Sequence, residues 1–399
     1  MKLAASMARL GTESAFEVLA KARALEAKGK NIVHLEIGQP DFPTPEHVRE
    51  AGKKAIDDGW TGYGPTAGFP DFREAIAEYI SKTRNISVSG TNVVVVPGGK
   101  PIMYFGMMAV LEPGDEVIYP NPGFPIYESV INYLGATAVP MPLIESRGFS
   151  FDLDEFERKL SPRTKMVVLN SPANPTGGLI SEETVRQIGA AAAAKGIWTI
   201  VDLCYEQLIY EPVPHNLPKA LFDTNRDHTI LCGSASKAYA MTGWRCGWTI
   251  APKELTSVFN TIEGQTTSNI TSVTQKAALA ALTGSQEPVK AMLDEYRRRR
   301  DSIHEWLTAH PGIKCVKPSG AFYLFPDISG LLTPDGVKTS FEFSQRLLEK
   351  EFVVVTPGEA FEAPGYLRIS YATSMEQLRE GATRILRFAE SIQTAKAGA

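Results

Sequence analysis

A lysine, two serines and an arginine stand close together in the segment "SASKAYAMTGWR", which runs from Ser234 to Arg245. The segment follows the apolar run "HTILCG", which is typical of a buried β-strand. A lysine in such apolar surroundings is costly as a cation. We therefore expect Lys237 to work as a neutral or covalently bound amine.

Polar residues also follow the other strand-like runs of the sequence. They are Gly99 and Lys100 after "VVVV", Asn174 after "MVVL", and Asp202 and Tyr205 at and after the end of "WTIV". In open α/β sheets, ligands bind beyond the carboxyl ends of the strands. We therefore expect these side chains to share one ligand.

The residue types suit a ligand with a phosphate, a ring cation and a carbonyl group. The pair Gly98-Gly99 before a helix offers backbone N–H groups to a phosphate, and Asp202 at a strand end needs a cation. Taken singly, Asp202 could form a salt bridge or a helix cap, Lys237 could lie on the surface, and Arg245 could pair with a carboxylate. Together they predict pyridoxal 5′-phosphate, which carries all three groups.

The elements that must position these residues follow a regular order. From about Asn92 onward, short β-branched runs alternate with helical patterns, which predicts an α/β domain with a mostly parallel sheet covered by helices. After Glu287 the pattern changes to one long helix and then to short strands and helices, which predicts a smaller α+β domain. We place the large cofactor-binding domain at residues 46–287 and the small domain at 1–45 and 288–399, with an N-terminal arm.

Composition excludes several classes of partner. Hydrophobic residues make up 43% and charged residues 22%, and a net charge of −4 gives no reason to expect nucleic acid or a membrane surface. No segment is apolar enough for a membrane span or a signal peptide. The four cysteines show no paired spacing, so we expect reduced thiols in a cytoplasmic protein, and the histidines form no metal motif, so we expect no metal. The run from Arg297 to Arg300 predicts a solvated helix face.

Six segments carry a family resemblance. They are "IGQPDFPTP", "YGPTAGFPDFREA", "PGDEVIYPNPGFPIY", "NSPANPTGG", "SASKAYAMTGWRCGW" and "YLRISYA". In this order they resemble the class I/II pyridoxal-phosphate-dependent aminotransferases, of the aspartate aminotransferase fold type I. The match runs from about Val33 to Ala372, and it implies that fold and a transaminase activity.

The resemblance implies roles at the reactive end of the cofactor. Lys237 looks like the Schiff-base lysine, which also moves the proton between the substrate Cα and the cofactor. Asp202 is similar to the carboxylate that keeps the pyridine nitrogen protonated. Asn174 and Tyr205 match the pair that hydrogen-bonds the ring oxygen. Phe124 stands at the aromatic position that stacks on the ring, although a phenylalanine there could also be ordinary core.

The resemblance also implies how the phosphate is held. Ser234, Ser236 and Arg245 match the phosphate anchors. The backbone of Gly99 and Lys100 completes the cradle.

Four further implications concern the substrate and the assembly. Arg368 matches the arginine that grips the substrate α-carboxylate, with Asn174 assisting. Gly38 lies where a mobile loop closes over the substrate. Tyr63 matches the tyrosine that reaches a phosphate across a dimer interface, which implies a homodimer with shared active sites. Cys204 departs from the family pattern, in which a β-branched residue is frequent.

Three functions compete on this sequence. The first is an aminotransferase of amino acid metabolism. Lys100 favours aspartate, glutamate and 2-oxoglutarate as its substrates, because a prokaryotic subgroup of the family uses a lysine at this position to bind the distal carboxylate. The alternative is that Lys100 points to solvent. The second is a β-elimination lyase on the same fold, which needs the same lysine and carboxylate. The third, a cofactor-binding regulator, would need an N-terminal DNA-binding domain for which we see no room, since the motifs begin within about 40 residues of Met1.

Overall fold

The structure is a computed structural model that describes residues 3–11, 15–334 and 336–397. Within these ranges the strands are β1 Val33–His34, β2 Val93–Val96, β3 Glu116–Asn121, β4 Thr137–Ile144, β5 Ser150–Phe151, β6 Thr164–Asn170, β7 Trp198–Asp202, β8 Thr229–Ser234, β9 Gly247–Ile250, β10 Tyr323–Leu324, β11 Val353–Val354, β12 Thr356–Pro357 and β13 Leu367–Ser370. The α-helices are α1 Ala15–Glu26, α2 Glu46–Asp57, α3 Pro70–Arg84, α4 Lys100–Val110, α5 Ile126–Tyr133, α6 Leu153–Lys159, α7 Glu182–Ala193, α8 Leu217–Thr224, α9 Lys253–Thr266, α10 Ser272–Thr283, α11 Glu287–Thr308, α12 Ser340–Glu351 and α13 Met375–Ala397.

A large sheet has the strand order β2-β9-β8-β7-β6-β3-β4-β5. Adjacent strands from β8 to β4 pair in parallel, whereas β9 is antiparallel to both of its neighbours and β5 is antiparallel to β4. The predicted mostly parallel sheet is therefore confirmed. The sequence analysis did not identify β4 or β9.

The central strands of the sheet are mainly apolar and buried, whereas β4 also has exposed residues. Val93 and Val95 of β2 belong to a core that includes residues of α2, α3, α7 and α10, whereas Val94 and Val96 belong to a core with α4, α5 and α9. Register then aligns the strand ends: Asn170 pairs with Asp202, and Asp202 pairs with Cys232. Polar residues that are distant in sequence therefore lie at one edge of the sheet.

A second, smaller unit has its own sheets and core. Strand β1 pairs in parallel with β11, and β10, β13 and β12 form an antiparallel sheet. Its core includes residues of α11, α12 and α13, and Ala22 of the N-terminal helix α1 packs against Leu348 and Val354. The predicted small α+β unit is confirmed. The exact bounds 46–287, 1–45 and 288–399 stay a prediction.

The arginine run in α11 does not form a uniformly solvated face. Only 7% of the Arg299 side chain and 3% of the Arg300 side chain are exposed, whereas Arg298 is 60% exposed. An α-helix has 3.6 residues per turn, so four successive side chains point to all sides of it. The predicted solvated face is therefore wrong for Arg299 and Arg300.

No helix among the described residues combines the length and the apolar character that crossing a bilayer requires.

Candidate active site

One cavity of 340 Å³ collects the predicted site residues at the carboxyl edge of the large sheet. Its lining includes Gly38, Gly99, Lys100, Phe124, Asn174, Asp202, Tyr205, Ser234, Ser236, Lys237, Arg245 and Arg368. Tyr63 is the predicted residue that this chain does not bring to the cavity, and its side chain is 93% exposed. The polar ends of separate strands thus meet in one place, as the sheet topology requires.

Lys237 lies just beyond β8, and its amine is buried. Its Nζ donates a hydrogen bond to the Gly38 carbonyl at 2.5 Å and lies 5.9 Å from the centre of the Tyr205 ring. Burial, the largest cause, lowers the pKa of Lys237 to about 8 together with the charges of Arg368 and Arg245, while Cys204 and Asp202 act in the opposite direction. The amine is therefore neutral in a large share of the molecules at mildly alkaline pH.

Asp202 ends β7 as a buried carboxylate. Its Oδ2 accepts a hydrogen bond from the Tyr127 hydroxyl at 2.9 Å, and its Oδ1 accepts one from the Cys204 backbone N–H at 3.0 Å. Among the described residues, no lysine or arginine forms an ion pair with it. Burial, together with the charge of Asp202, raises the pKa of Tyr127 well above its usual value, so the tyrosine remains a donor. The carboxylate is thus oriented, and it lacks a cationic partner.

Arg245 provides positive charge at another part of the cavity, close to hydroxyl groups and the start of a helix. Arg245 has a left-handed backbone with φ of 55°, and its terminal nitrogens donate to backbone carbonyls at 2.9 and 3.2 Å. The Ser234 hydroxyl donates to the Ser236 hydroxyl at 2.9 Å, and Gly99 precedes the first turn of α4. A Cβ atom at Gly98 would lie 2.2 Å from an Arg245 nitrogen, so only glycine leaves room for the guanidinium. Hydroxyls, a guanidinium and a helix N-terminus together suit a phosphate.

Arg368 on β13 is the second buried cation of the cavity. Its terminal nitrogens donate to Asn174 Oδ1 at 3.1 Å and to the Glu36 carbonyl at 2.7 Å. The rings of Tyr323 and Phe361 have their centres 4.6 and 4.9 Å from the guanidinium carbon. The buried Nε has no hydrogen-bond partner among the described residues. An unpartnered nitrogen on a fixed guanidinium is a ready donor for a carboxylate ligand.

The sequence analysis assigned no role to Tyr127, which donates to Asp202, or to Asn170 and Tyr323, which also contact predicted site residues. Asn170 accepts a hydrogen bond from the Asn174 backbone at 2.9 Å and donates one to the Asp202 carbonyl at 3.2 Å, so it ties two predicted residues together. The buried Tyr323 hydroxyl lies 2.8 Å from the Tyr205 hydroxyl. Asn170 could have been found from its place at the end of β6, in line with Asp202. Tyr323 had no such signal, because its strand β10 has only two residues.

The residues present fit pyridoxal phosphate on three counts. An unpaired buried carboxylate suits a protonated ring nitrogen, the group around Arg245 suits the phosphate, and a buried amine with a lowered pKa suits the aldehyde. The cavity volume of 340 Å³ also lies in the range usual for small-molecule sites.

Comparison with known proteins gives a consistent result. The family described as aminotransferase class I and II matches residues 30–385 of this chain. The chain is 39% identical to a probable aspartate/prephenate aminotransferase of Aquifex aeolicus, over 98% of this chain and 99% of that one. It is 36% identical to the aspartate aminotransferase of Geobacillus stearothermophilus, over 98% of this chain and 100% of that one.

Solved structures agree with these relatives. The aspartate aminotransferase of Rhizobium meliloti superposes with a TM-score of 0.93 at 35% identity and covers 98% of this chain and 99% of its own. A Thermus thermophilus aspartate aminotransferase solved with maleate gives a TM-score of 0.90 at 37% identity, with 97% and 100% covered. The predicted fold and transaminase activity are confirmed, and the chain belongs to the class I and II aminotransferases.

Proposed function

We propose that this aminotransferase uses pyridoxal phosphate to move an amino group between a dicarboxylic L-amino acid, aspartate or glutamate, and 2-oxoglutarate. The observation that carries the proposal is the buried Lys237 amine, with its pKa lowered to about 8, in one cavity with Asp202 and Arg368. These groups supply a proton carrier, a partner for a cationic ring and a binder for a carboxylate.

The cofactor would be held at both ends by side chains of this chain. When bound, pyridoxal phosphate supplies an aldehyde that takes up the amino group and a ring that accepts the electron pair left on Cα. Asp202 would hold the ring nitrogen in its protonated form, and Tyr205 and Asn174 would donate to the ring oxygen. The phosphate would be held by the backbone of Gly99 and by Ser234, Ser236 and Arg245, and Phe124 would pack on the ring.

Lys237 would carry the proton of the reaction. Its neutral amine can accept a proton from the substrate Cα and can return it on the other side of the reaction. Burial keeps water away from that amine and is also the main cause of its lowered pKa. Positioned acid–base groups of this kind contribute roughly 10²–10⁴-fold in rate.

Arg368 would bind the α-carboxylate of the substrate. Its Nε is buried without a partner, so a carboxylate would satisfy it in a bidentate pair with a terminal nitrogen. The Gly38 loop would cover the bound substrate. The hydrogen bond from Lys237 to the Gly38 carbonyl, at 2.5 Å, keeps that loop close to the reacting lysine.

Lys100 would bind the distal carboxylate of a dicarboxylic substrate. Its Nζ lies 5.1 Å from the centre of the Phe124 ring, and both residues line the cavity. Two kinds of comparison support this assignment: relatives named aspartate aminotransferase, and a Thermus thermophilus structure solved with maleate, which is a dicarboxylate.

The test of the substrate class compares donors in two variants. Lys100→Ala should lower kcat/KM for aspartate by roughly 10- to 100-fold, the cost of one charge-assisted hydrogen bond, and should leave alanine nearly unaffected. Lys100→Arg keeps the charge and should retain part of the preference for aspartate. Equal losses for aspartate and alanine in Lys100→Ala would refute the role of Lys100.

We also propose a cytoplasmic homodimer in which Tyr63 completes the phosphate site of the partner subunit. The 93% exposure of Tyr63 supports this, because its aromatic side chain buries almost none of its surface within its own chain. The loop that carries it is anchored by a hydrogen bond of 2.9 Å from the Ser272 hydroxyl to the Gly62 carbonyl.

A further inference from the structure

Three groups with metal-binding chemistry meet at the floor of the cavity. A carboxylate oxygen of Asp202 and the sulfurs of Cys204 and Cys232 all lie within 4.8 Å of one another. Cys232 is fully buried, whereas Cys204 lines the cavity. The sequence analysis expected no metal, because the histidines form no metal motif.

The sheet fixes the backbone of Asp202 and Cys232, and Cys204 lies in the turn that follows β7. Asp202 of β7 stands in register with Cys232 of β8, and the Leu203 N–H donates to the Cys232 carbonyl at 2.9 Å. The Cys204 N–H donates to Asp202 Oδ1 at 3.0 Å, which turns the chain back toward the carboxylate. Both sulfurs also lie beside Gly99, where an added Cβ would come within 3.0 Å of Cys204 and 3.5 Å of Cys232. The three donor groups are therefore held near one another, and a bound cation would draw them closer.

The donor set selects a class of cation. Two thiolates and one carboxylate suit zinc and its softer analogue cadmium, whereas magnesium and calcium prefer oxygen ligands. Ligand atoms around tetrahedral zinc are roughly 3.5 Å apart, so the side chains must close by about 1 Å. Asp202 has no cationic partner among the described residues, so a bound cation would neutralise it. The open side of the group, at Cys204, faces the cavity and gives access for entry.

We propose that the cofactor-free protein binds one thiophilic divalent cation, of the zinc and cadmium class, through Asp202, Cys204 and Cys232, and that the cation excludes the cofactor. Two metal–sulfur bonds form, the two thiol protons pass to solvent, and no group is oxidised or reduced. The exclusion rests on the proposed function, because there Asp202 is the partner of the cofactor ring.

The experiment is a titration of cofactor-free protein with Cd²⁺, read by the ultraviolet thiolate-to-cadmium absorption and by equilibrium dialysis. We expect one cadmium per chain. Cys204→Ala and Cys232→Ala should each weaken cadmium affinity by more than roughly 100-fold. Loss of a residue that only supports a metal ligand costs roughly 10- to 100-fold in affinity, and each of these substitutions removes a ligand itself. Cys246→Ala and Cys315→Ala, which remove the other two thiols of the chain, should leave cadmium binding unchanged.

The outcomes separate the site from the exclusion. The proposed site is overturned if cadmium binding survives in both Cys204→Ala and the conservative Cys204→Ser. Thermal melting must show that both variants are folded. Cadmium absorption of equal strength in cofactor-loaded protein overturns the exclusion. Failure of the protein to take up pyridoxal phosphate, with the cadmium site intact, overturns the proposed function and leaves the metal site standing.

Discussion

At the scale of single residues, the environment of Lys237 determines when the site can react. Burial lowers its pKa to about 8, from the 10.5 of an ordinary lysine. The neutral amine is the reactive form, and it predominates above the pKa. We predict that covalent uptake of pyridoxal phosphate by the cofactor-free protein speeds up about tenfold per pH unit up to about 8 and then levels off.

This pH profile can be measured by trapping the bound cofactor with borohydride and counting it by mass spectrometry. Lys237→Ala should trap none, which identifies the residue. A rate that keeps rising with a midpoint near pH 10.5 would mean that Lys237 behaves as an ordinary solvated lysine.

Tyr323 offers a second test at this scale. Its hydroxyl lies 2.8 Å from that of Tyr205, so Tyr323→Phe leaves a buried hydroxyl without its partner. We expect kcat to fall roughly tenfold, with a smaller change in KM. We also expect a shift in the pH at which the absorption spectrum of the bound cofactor changes. Tyr371→Phe is the matched control, because its buried hydroxyl bonds to Tyr210, at 3.0 Å, and not to Tyr205. Equal effects of the two substitutions would contradict a positioning role for Tyr323.

Part of the site was predictable at residue scale from apolar runs that read as strands. Lys237 after β8 and Asp202 at the end of β7 are the clearest cases. Other site residues were named only from the family resemblance, namely Gly38, Tyr63, Phe124 and Arg368. Tyr323 and Cys204 were not predictable as site residues, since neighbouring parts of the sequence do not determine where their side chains point. Their contacts depend on how the small unit and the sheet edge pack.

At the scale of elements, helix α11 anchors the segment that follows Gly38, a residue that lines the cavity. Arg299 donates to Asp41 at 2.8 Å and to Glu295 at 2.8 Å, and its guanidinium lies 5.0 Å from the centre of the Phe42 ring. Asp41 and Phe42 follow shortly after Gly38, whose carbonyl binds Lys237. The buried face of α11 is therefore linked to Lys237 through the segment from Gly38 to Phe42.

We predict that Arg299→Ala destabilises the fold by roughly 2 kcal/mol and raises KM for the amino donor, because it removes a buried guanidinium and its hydrogen bonds to the partly exposed Asp41 and Glu295. Arg298→Ala, which removes an exposed partner of the same Glu295, should change stability by less than about 1 kcal/mol. Urea unfolding and steady-state kinetics measure both quantities. Equal effects of Arg299→Ala and Arg298→Ala on stability and KM would mean that Arg299 contributes no more than an arginine on a solvated helix face.

The order of elements was predictable because hydrophobic period and length distinguish strands from helices. The strand β9 was missed because its four residues begin with a glycine and form no continuous β-branched run like the four valines of β2, and because its antiparallel pairing with β2 and β8 depends on residues far away in the sequence. Burial within α11 was missed for a related reason. A run of like charges gives no information about which side of the helix meets a neighbouring element.

At the scale of the whole molecule, the two units of one chain together form the cavity, and in the proposed dimer a second chain would complete the phosphate site. The cavity joins residues of the large sheet to Arg368 on β13 of the small unit, whereas Tyr63 of the same chain lies outside. Composition and periodicity predicted two units with separate cores. They could not fix how a second chain would meet the first, since that depends on surface shape.

Mixing two inactive chains tests the shared site. A chain with Lys237→Ala keeps Tyr63, and a chain with Tyr63→Phe keeps Lys237, so a hybrid dimer should contain one complete site. We expect the Tyr63→Phe protein to hold the cofactor phosphate more weakly and the mixture to regain tight binding at that one site. Binding that does not improve on mixing would mean that Tyr63 does not act across subunits.

The most direct test of the account is a titration of the cofactor-loaded protein with L-aspartate in the absence of any oxo acid. We predict one equivalent of oxaloacetate per chain, conversion of the bound cofactor to its amine form, and no ammonia. Continued turnover with release of ammonia and no amine form of the cofactor would contradict transamination and would favour an elimination reaction on the same fold.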